Sequence, residues 1–179
     1  GFQNNFSEVY MVPGLSFQIG ERVVYPNHGV GTIENISTRT FGVKTERFYL
    51  LRLATNSLTI MVPFSHVNEV GLRKITRNSE IQRMLDFLAT GKAKSCSDWK
   101  NRFKENSDKM RIGHLHDIAD VFKCLLIQQK DKPLSFREKK MLDRARHMLL
   151  TEVSSSRGVS PEQAIDILRK SLGKSNLPF

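Results

Sequence analysis

The spacing of hydrophobic and polar residues changes once along the chain, near residue 70. From Phe17 to Pro63 apolar residues recur with a period near two, which is typical of half-buried strands. Turn residues divide this part into apolar segments at 23–25, 30–40, 47–54 and 57–63. Beyond the GLRK of 71–74 the period becomes helical. The sequence therefore predicts an α+β protein, with a small curved antiparallel sheet or barrel followed by an all-α bundle.

Glycines and polar pairs mark the bends of the predicted sheet. Gly31 interrupts the second strand, which predicts a bulge or a sharp bend at that residue. Gly42 marks the next turn, and Thr55-Asn56 joins the last two strands. A sheet this small leaves an edge strand unpaired, and a partner protein can add a strand to such an edge.

Apolar stripes and capping residues predict about five helices in the second part. The first helix ends at Gly91, in a C-cap position, and the second begins after the N-cap residue Ser97. An S-x-x-E capping box at Ser135 begins a long helix, and Ser160-Pro161 begins the last one. The other predicted bounds place helices at 114–129, 135–153 and 160–172, with SSSRG (154–158) as a loop.

The change of period predicts two modules of unlike class, joined near residues 67–77. The predicted segments are, in chain order, a flexible polar leader (1–16), a β domain (17–70), a helical domain (77–173) and a tail (174–179).

Positive charge is concentrated in the helical part. The chain carries a formal net charge of +10 at pH 7. Residues 17–72 contain 5 Lys and Arg and 4 Asp and Glu, whereas residues 73–179 contain 23 and 13. This asymmetry indicates that the helical part meets a polyanion. The nearly neutral β part is predicted either to bind a protein or to serve as a passive stabilising domain.

The stretch from Lys92 to Arg111 combines the only tryptophan of the chain with many cations. Trp99 and Phe103 form a narrow apolar stripe on the predicted helix, between polar neighbours. An aromatic ring among cations favours a surface that holds a phosphate backbone and contacts bases. A lone tryptophan is also common inside a core, so that alternative stays open on the residues alone.

Catalytic and metal-binding signals are weak. No P-loop, G-x-G-x-x-G after a strand, G-x-S-x-G or H-E-x-x-H motif occurs, which predicts a non-catalytic protein without a cofactor. A cluster of residue types that can bind a metal occurs at His114, His116, Asp117 and Asp120. Its H-x-H spacing does not bring both rings to one helix face, so we expect no metal site.

No run of about 18 apolar residues occurs, which predicts no membrane span. The opening residues lack a basic segment followed by an apolar one, so they do not resemble a secretory signal. We therefore expect a cytoplasmic protein in which Cys96 and Cys124 are reduced thiols.

Several stretches resemble the CarD/CdnL family of bacterial transcription regulators. FQIGERVVYPNHGVGTIENI, followed by a strand pair ending in TIMVP and then VGLRKI, resembles the family's N-terminal RNA polymerase-interacting domain. WKNRFKEN and LSFREKKMLDRAR resemble its helical domain. The resemblance covers 17–173 in the family's order and spacing.

This resemblance implies a Tudor-like β domain that docks on the polymerase β subunit, as does the related domain of the transcription-repair coupling factor. It implies a helical domain that contacts promoter DNA in the minor groove at the upstream edge of the melted bubble, without reading sequence. In the family a tryptophan acts as a wedge that favours the open complex. The implied protein is a nucleoid-associated monomer.

Carried over by resemblance, Trp99 is the wedge, and the set of DNA-contacting residues is Trp99, Lys100, Arg102, Lys104 and Lys139. The implied polymerase-facing residues are Arg39, Thr40, Arg52 and Met61. Met61 and Asn101 stand where some relatives carry arginine, which predicts weaker or redistributed contacts.

Two other functional classes remain on the residues alone. A free-standing nucleic-acid-binding protein would bind tightly without polymerase. A pure protein-interaction adaptor would make no salt-dependent contact with DNA.

Overall fold

A computed structural model describes residues 16–93 and 101–179 of the chain. These residues form two compact units, of which one ends at Lys74 and the other begins at Ile75. Each unit has its own hydrophobic core, in agreement with the α+β organisation that the change of period predicts.

The first unit is a five-stranded antiparallel sheet. Its strands lie in the order β4-β3-β2-β1-β5, so β4 and the two-residue β5 are the edges. Their bounds are β1 Arg22–Tyr25, β2 Gly29–Phe41, β3 Lys44–Leu53, β4 Thr59–Pro63 and β5 Arg73–Lys74. A 3-10 turn (Phe64–His66) and the short helix α1 (Val67–Val70) connect β4 to β5. All four predicted longer strands are present.

Alternation along β3 separates a core face from an outer face. Tyr49, Leu51 and Leu53 are buried in the core cluster, together with their cross-strand neighbour Ile33 on β2. The Tyr49 ring stacks on Phe64 with centroids 4.2 Å apart. Because side chains in a strand point to alternate faces, the residues between them belong to the outer face of the sheet.

The expected bulge in β2 is displaced from its predicted residue. The pairing register shifts between Ile33 and Asn35, so the bulge lies at Glu34 rather than at Gly31. Gly31 pairs regularly with Leu53. A Cβ on Gly31 would lie 2.7 Å from Leu51 Cδ1 and 2.9 Å from the carbonyl oxygen of Arg52. The glycine therefore allows close approach of β3.

The second unit is a bundle in which the described residues form five helices. Their bounds are α2 Asn78–Thr90, α3 Arg102–Ile112, α4 Leu115–Asp131, α5 Phe136–Arg157 and α6 Pro161–Gly173. Every residue from 118 to 126 of α4 is buried, because α2, α3 and α5 all contact this helix. The predicted capping boxes at Ser135 and Ser160 are both present, at the starts of α5 and α6.

The prediction that residues 154–158 form a loop is wrong. α5 continues to Arg157 and ends at Gly158, which has the left-handed φ of 64°. The last turn is held by tertiary contacts, since Ser156 Oγ donates to the Thr76 carbonyl and buried Glu152 accepts from the Thr76 amide at 3.0 Å. Three consecutive serines disfavour a helix only weakly, and these contacts outweigh that preference.

The helix start predicted after Ser97 lies outside the described residues. α3 starts at Arg102, and Asn101 is its N-cap residue with φ −105° and ψ 0°. Ser97, Cys96 and Trp99 lie outside the described residues, as does the polar leader up to residue 15.

The C-terminal end of α2 is held by side chains from other elements. Buried Lys123 of α4 donates from Nζ to the carbonyls of Phe87 at 2.8 Å and Gly91 at 2.6 Å. Ser175 Oγ donates to the Leu88 carbonyl, so part of the segment called a tail packs on the bundle. The Leu88 carbonyl is one that a helix leaves without an intrahelical partner, and the Ser175 hydroxyl satisfies it. The Lys123 and Ser175 contacts also fix the point where the chain leaves α2 for residues 92–100.

We predict that Gly31→Ala destabilises the β unit by about 1–3 kcal/mol, since the new methyl group would overlap Leu51 and the β3 backbone. The measurement is urea unfolding followed through the amide resonances of β3. Gly173→Ala is the control, because a Cβ there has no atom within 4 Å. Equal β3 midpoints for wild type and Gly31→Ala would contradict the close-approach explanation.

Candidate functional site

The outer face of the sheet carries three of the four residues assigned to the partner-binding surface. Arg39 pairs with Glu46, Asn35 with Leu50, and Thr32 with Arg52 along β2 and β3. Since Leu50 also pairs with Met61 on β4, the alternation places Arg39, Arg52 and Met61 on one face. Thr40 falls on the opposite face, where its hydroxyl lies 3.4 Å from that of Thr45. The structure therefore brings together three residues of this set.

The two arginines of this face differ in whether their charge is paired with a carboxylate. Arg52 Nε lies 2.7 Å from Glu34 Oε1, and the bulge supplies that glutamate. An exposed ion pair contributes about 0–1 kcal/mol to stability, but it neutralises the guanidinium as seen by a partner. Arg39 is exposed near the end of the β2–β3 hairpin. It is the stronger candidate for an acidic partner.

The β2–β3 hairpin extends past the strands on either side of it. β4 pairs only with residues 48–52 of β3, and β1 pairs only with residues 29–32 of β2. The tip exposes two large apolar side chains, Phe41 and Val43. An exposed apolar tip beside a cation is typical of a protein-binding surface rather than of a nucleic-acid groove.

In the bundle, the start of α3 packs against the start of α5. Arg102 Nη2 lies 3.9 Å from Glu138 Oε2, and these side chains are only 18% and 16% exposed. The guanidinium of Arg137 lies 3.9 Å from the centre of the Phe103 ring. We call this pair of contacts the α3–α5 joint. It uses Arg102 to position α3, so that residue's charge is already compensated by Glu138.

Glu138 is ionised in the joint. Burial raises the pKa of its carboxyl, but hydrogen bonds from Gln128 and Ser135 and the charge of Arg102 outweigh that effect. The pKa of Glu138 therefore lies below its ordinary value of 4.5. The same carboxylate completes the capping box of α5, so the negative charge fixes both the helix start and the joint.

α3 is held by polar contacts more than by apolar ones. Its buried residues are Asn106 and Met110 alone. Lys109 Nζ lies 2.5 Å from the carboxylate of Asp120, which is buried on α4. A helix with so little apolar contact is attached through charged pairs at its two ends.

The joint is surrounded by exposed cations. Lys104 lies on α3, and the exposed side of α5 carries Arg137, Lys139, Lys140 and Arg144. Two assigned DNA-contacting residues, Lys104 and Lys139, thus lie at this surface, whereas Arg102 is half-buried beneath it. Trp99 and Lys100 lie outside the described residues. They precede Asn101, the N-cap of α3, in the chain.

Sequence reasoning missed Arg137 and Lys140, which line the same surface. The signal was the i, i+2 and i+3 spacing of cations within FREKK, at the start of the helix that the capping box begins and away from the apolar stripe of that helix.

The cluster of ligand-type residues at 114, 116, 117 and 120, in which we expected no metal site, makes other contacts. Asp120 pairs with Lys109, and the His116 ring packs on Phe87 with centroids 4.9 Å apart. Within 16–93 and 101–179, no three His, Cys, Asp or Glu side chains lie close enough together to hold a metal ion. No helix among these residues is long and apolar enough to cross a membrane.

Comparison with known proteins agrees with the two units. A family model of the CarD-like/TRCF RID domain matches residues 17–76, and one of the CarD C-terminal domain matches residues 83–169. The putative transcription factor YdeB of Bacillus subtilis (strain 168) is 33% identical over 147 residues, which is 82% of this chain and 96% of that protein. The chain belongs to the CarD/CdnL family.

A solved structure, CdnLNt from Myxoccoccus xanthus, is 40% identical over 34% of this chain and 84% of its own, with a TM-score of 0.30. Membership in the CarD/CdnL family makes this chain a transcription regulator that binds RNA polymerase, the activity associated with the RID domain. The family assignment and fold therefore agree with the resemblance in the sequence.

We predict that Glu138→Gln destabilises the bundle at neutral pH by about 1 kcal/mol, because glutamine keeps the capping acceptor but loses the charge that faces Arg102. Since the folded pKa of Glu138 is depressed, its contribution is complete above about 4.5 and is lost as the pH falls through the folded value.

The measurement is thermal unfolding of the bundle between pH 7 and pH 3. The difference between wild type and Glu138→Gln should shrink over the acid part of that range. A difference that stays constant with pH would show that the carboxylate charge has no part in the joint.

Proposed function

We propose that this CarD/CdnL-family regulator binds the β subunit of RNA polymerase through the outer face of its sheet. Its helical unit contacts promoter DNA at the upstream edge of the bubble, and Trp99 acts as a minor-groove wedge that stabilises the open complex. In this proposal the protein is a nucleoid-associated monomer that reads no sequence and catalyses no reaction.

The cationic surface around the α3–α5 joint carries the proposal for DNA. Lys104, Lys139 and Lys140 are exposed there on two helices whose relative position is fixed by the joint. Because the joint fixes the two helices, the points from which these cations extend are already placed along the path of a phosphate backbone before binding. Trp99 stands in the chain just before α3, and this placement supports its role at the same DNA.

The outer face of the β unit supports a protein partner. It combines exposed Arg39 and partly buried Met61 with the apolar hairpin tip. Arg52 is paired with Glu34, and Glu46 lies across the strands from Arg39. A mixed surface of this kind is poorly suited to a polyanion and well suited to a protein surface of alternating charge.

Docking on polymerase removes an affinity problem. A chain that neutralises four or five phosphates binds DNA weakly at physiological salt, with an expected slope of roughly −0.9 per phosphate in log affinity against log salt. Attachment to polymerase turns the DNA contact into an intramolecular one at a high effective concentration. Few phosphate contacts are then sufficient.

The wedge gives the complex its preference between states. Inserting a side chain into closed duplex costs a few kcal/mol of unstacking, whereas a step at the edge of the bubble is already unstacked. A ligand shifts an equilibrium only by its difference in affinity for the two states. A stacking contribution of about 1–3 kcal/mol would lengthen the open-complex lifetime by roughly 5- to 150-fold.

We predict that Trp99→Ala shortens the open-complex lifetime by about 5-fold or more while leaving polymerase binding unchanged, because only the DNA contact is lost. The measurement is the decay of competitor-resistant open complexes, paired with a polymerase pull-down. Trp99→Phe is the control, since it keeps an aromatic ring. Equal lifetimes for wild type and Trp99→Ala would end the wedge hypothesis.

We predict that Arg39→Glu weakens binding to the β subunit at least 10-fold and leaves DNA binding by the free chain intact. The reversal puts a second carboxylate opposite Glu46 and repels an acidic partner. Arg47→Glu is the matched control, because Arg47 pairs with Thr38 on the other face of the same hairpin. Binding is measured by titration of labelled β subunit.

Equal weakening by Arg39→Glu and Arg47→Glu would show that charge in the hairpin matters but the outer face does not. Undiminished binding by Arg39→Glu would place the docking surface elsewhere.

A further inference from the structure

Phe136, the first residue of α5, is unusually exposed for a large apolar residue. Its residue surface is 73% exposed, whereas Ile112 and Ile127, the other exposed large hydrophobic residues of the described bundle, are 47% and 36% exposed. A single exposed apolar residue is common on any protein surface. Exposure alone therefore assigns no function, and the surroundings of the ring must decide.

The start of α5 does not need the Phe136 ring. Leu134 is buried just before the helix, and the capping box between Ser135 and Glu138 satisfies the first amide groups. Both contacts are made without the aromatic side chain. The fold thus leaves Phe136 free for an external contact.

Cations surround the ring on the exposed side of α5. Lys140 Nζ lies 4.6 Å from the centre of the Phe136 ring. Arg137 and Lys139 are exposed in the same turn, and Arg144 follows one turn after Lys140. One exposed aromatic ring among closely spaced cations is the arrangement with which proteins hold single-stranded nucleic acid, with phosphates on the cations and a base on the ring.

We infer that Phe136 stacks on an unpaired nucleotide of the DNA bound at the cationic surface, with Lys140 beside a neighbouring phosphate. The inference rests on the proposed function and extends it, since it gives the helical unit an aromatic contact besides Trp99. The face of a base is covered in closed duplex and free only where the strands are separated. The Phe136 contact is therefore specific for DNA with unpaired bases.

The experiment compares two DNA probes of the same duplex length, one fully paired and one with an unpaired tail. Binding of the full chain without polymerase is followed by fluorescence anisotropy over a range of low salt concentrations. Phe136→Ala should weaken binding to the tailed probe by about fivefold and leave binding to the duplex unchanged. The salt slope should stay the same, because no phosphate contact is removed.

Three variants serve as controls. Phe136→Tyr keeps a ring and should retain binding to the tailed probe. Ile112→Ala removes an exposed apolar side chain elsewhere on the bundle and should have no effect. Lys140→Gln should lower the magnitude of the salt slope by roughly 0.7, the value for one single-strand phosphate.

Equal weakening of both probes by Phe136→Ala would overturn the inference, because the ring would then pack on the backbone. Unchanged affinity for both probes would overturn it as well. Weaker binding to polymerase with unchanged DNA binding would assign the ring to a protein partner and overturn it. If the wild-type chain showed no salt-dependent binding to either probe, the proposed DNA function would fail together with this inference. A failure confined to Phe136→Ala would leave that function intact.

Discussion

The position of α3 in the bundle depends on the joint between its first turn and the first turn of α5. α3 buries only Asn106 and Met110, so apolar contact cannot fix its position. The charge of Glu138 fixes it instead, by holding Arg102 and the start of α5 at once. A partly buried carboxylate with several donors is stable only while every donor stays in place. The joint therefore gives one geometry to the two helices that present the cations.

The same constraint explains how charge is divided among the basic residues. The charge of Arg102 is paired with Glu138 in the joint. The guanidinium of Arg137 covers the Phe103 ring, which is therefore partly buried. The other exposed cations around the joint are Lys104, Lys139, Lys140 and Arg144. Lysine is a flexible point charge suited to phosphate, whereas the planar guanidinium suits carboxylate pairs and ring stacking.

The two units solve different problems. The β unit is nearly neutral and presents an alternating face, while the bundle is cationic and presents one side of α5. Under the proposed function, weak DNA binding is tolerable because the protein is held on polymerase. Each unit matches a family model of its own, the RID domain for the β unit and the CarD C-terminal domain for the bundle.

The sequence by itself determined the four longer strands, the two capping boxes and the five helices of the described bundle, because period and capping chemistry act over a few residues. The resemblance of its motifs to the CarD/CdnL family could also be read from the sequence. Only the tertiary structure decided that α5 continues through its serines, that the bulge lies at Glu34, and that Arg102 is half-buried. Each depends on a partner distant in the chain, such as Thr76, β3 or Glu138. Local conformational preferences amount to a few tenths of a kcal/mol and carry no information about such distant contacts. Once the chain has folded, the contacts outweigh these preferences.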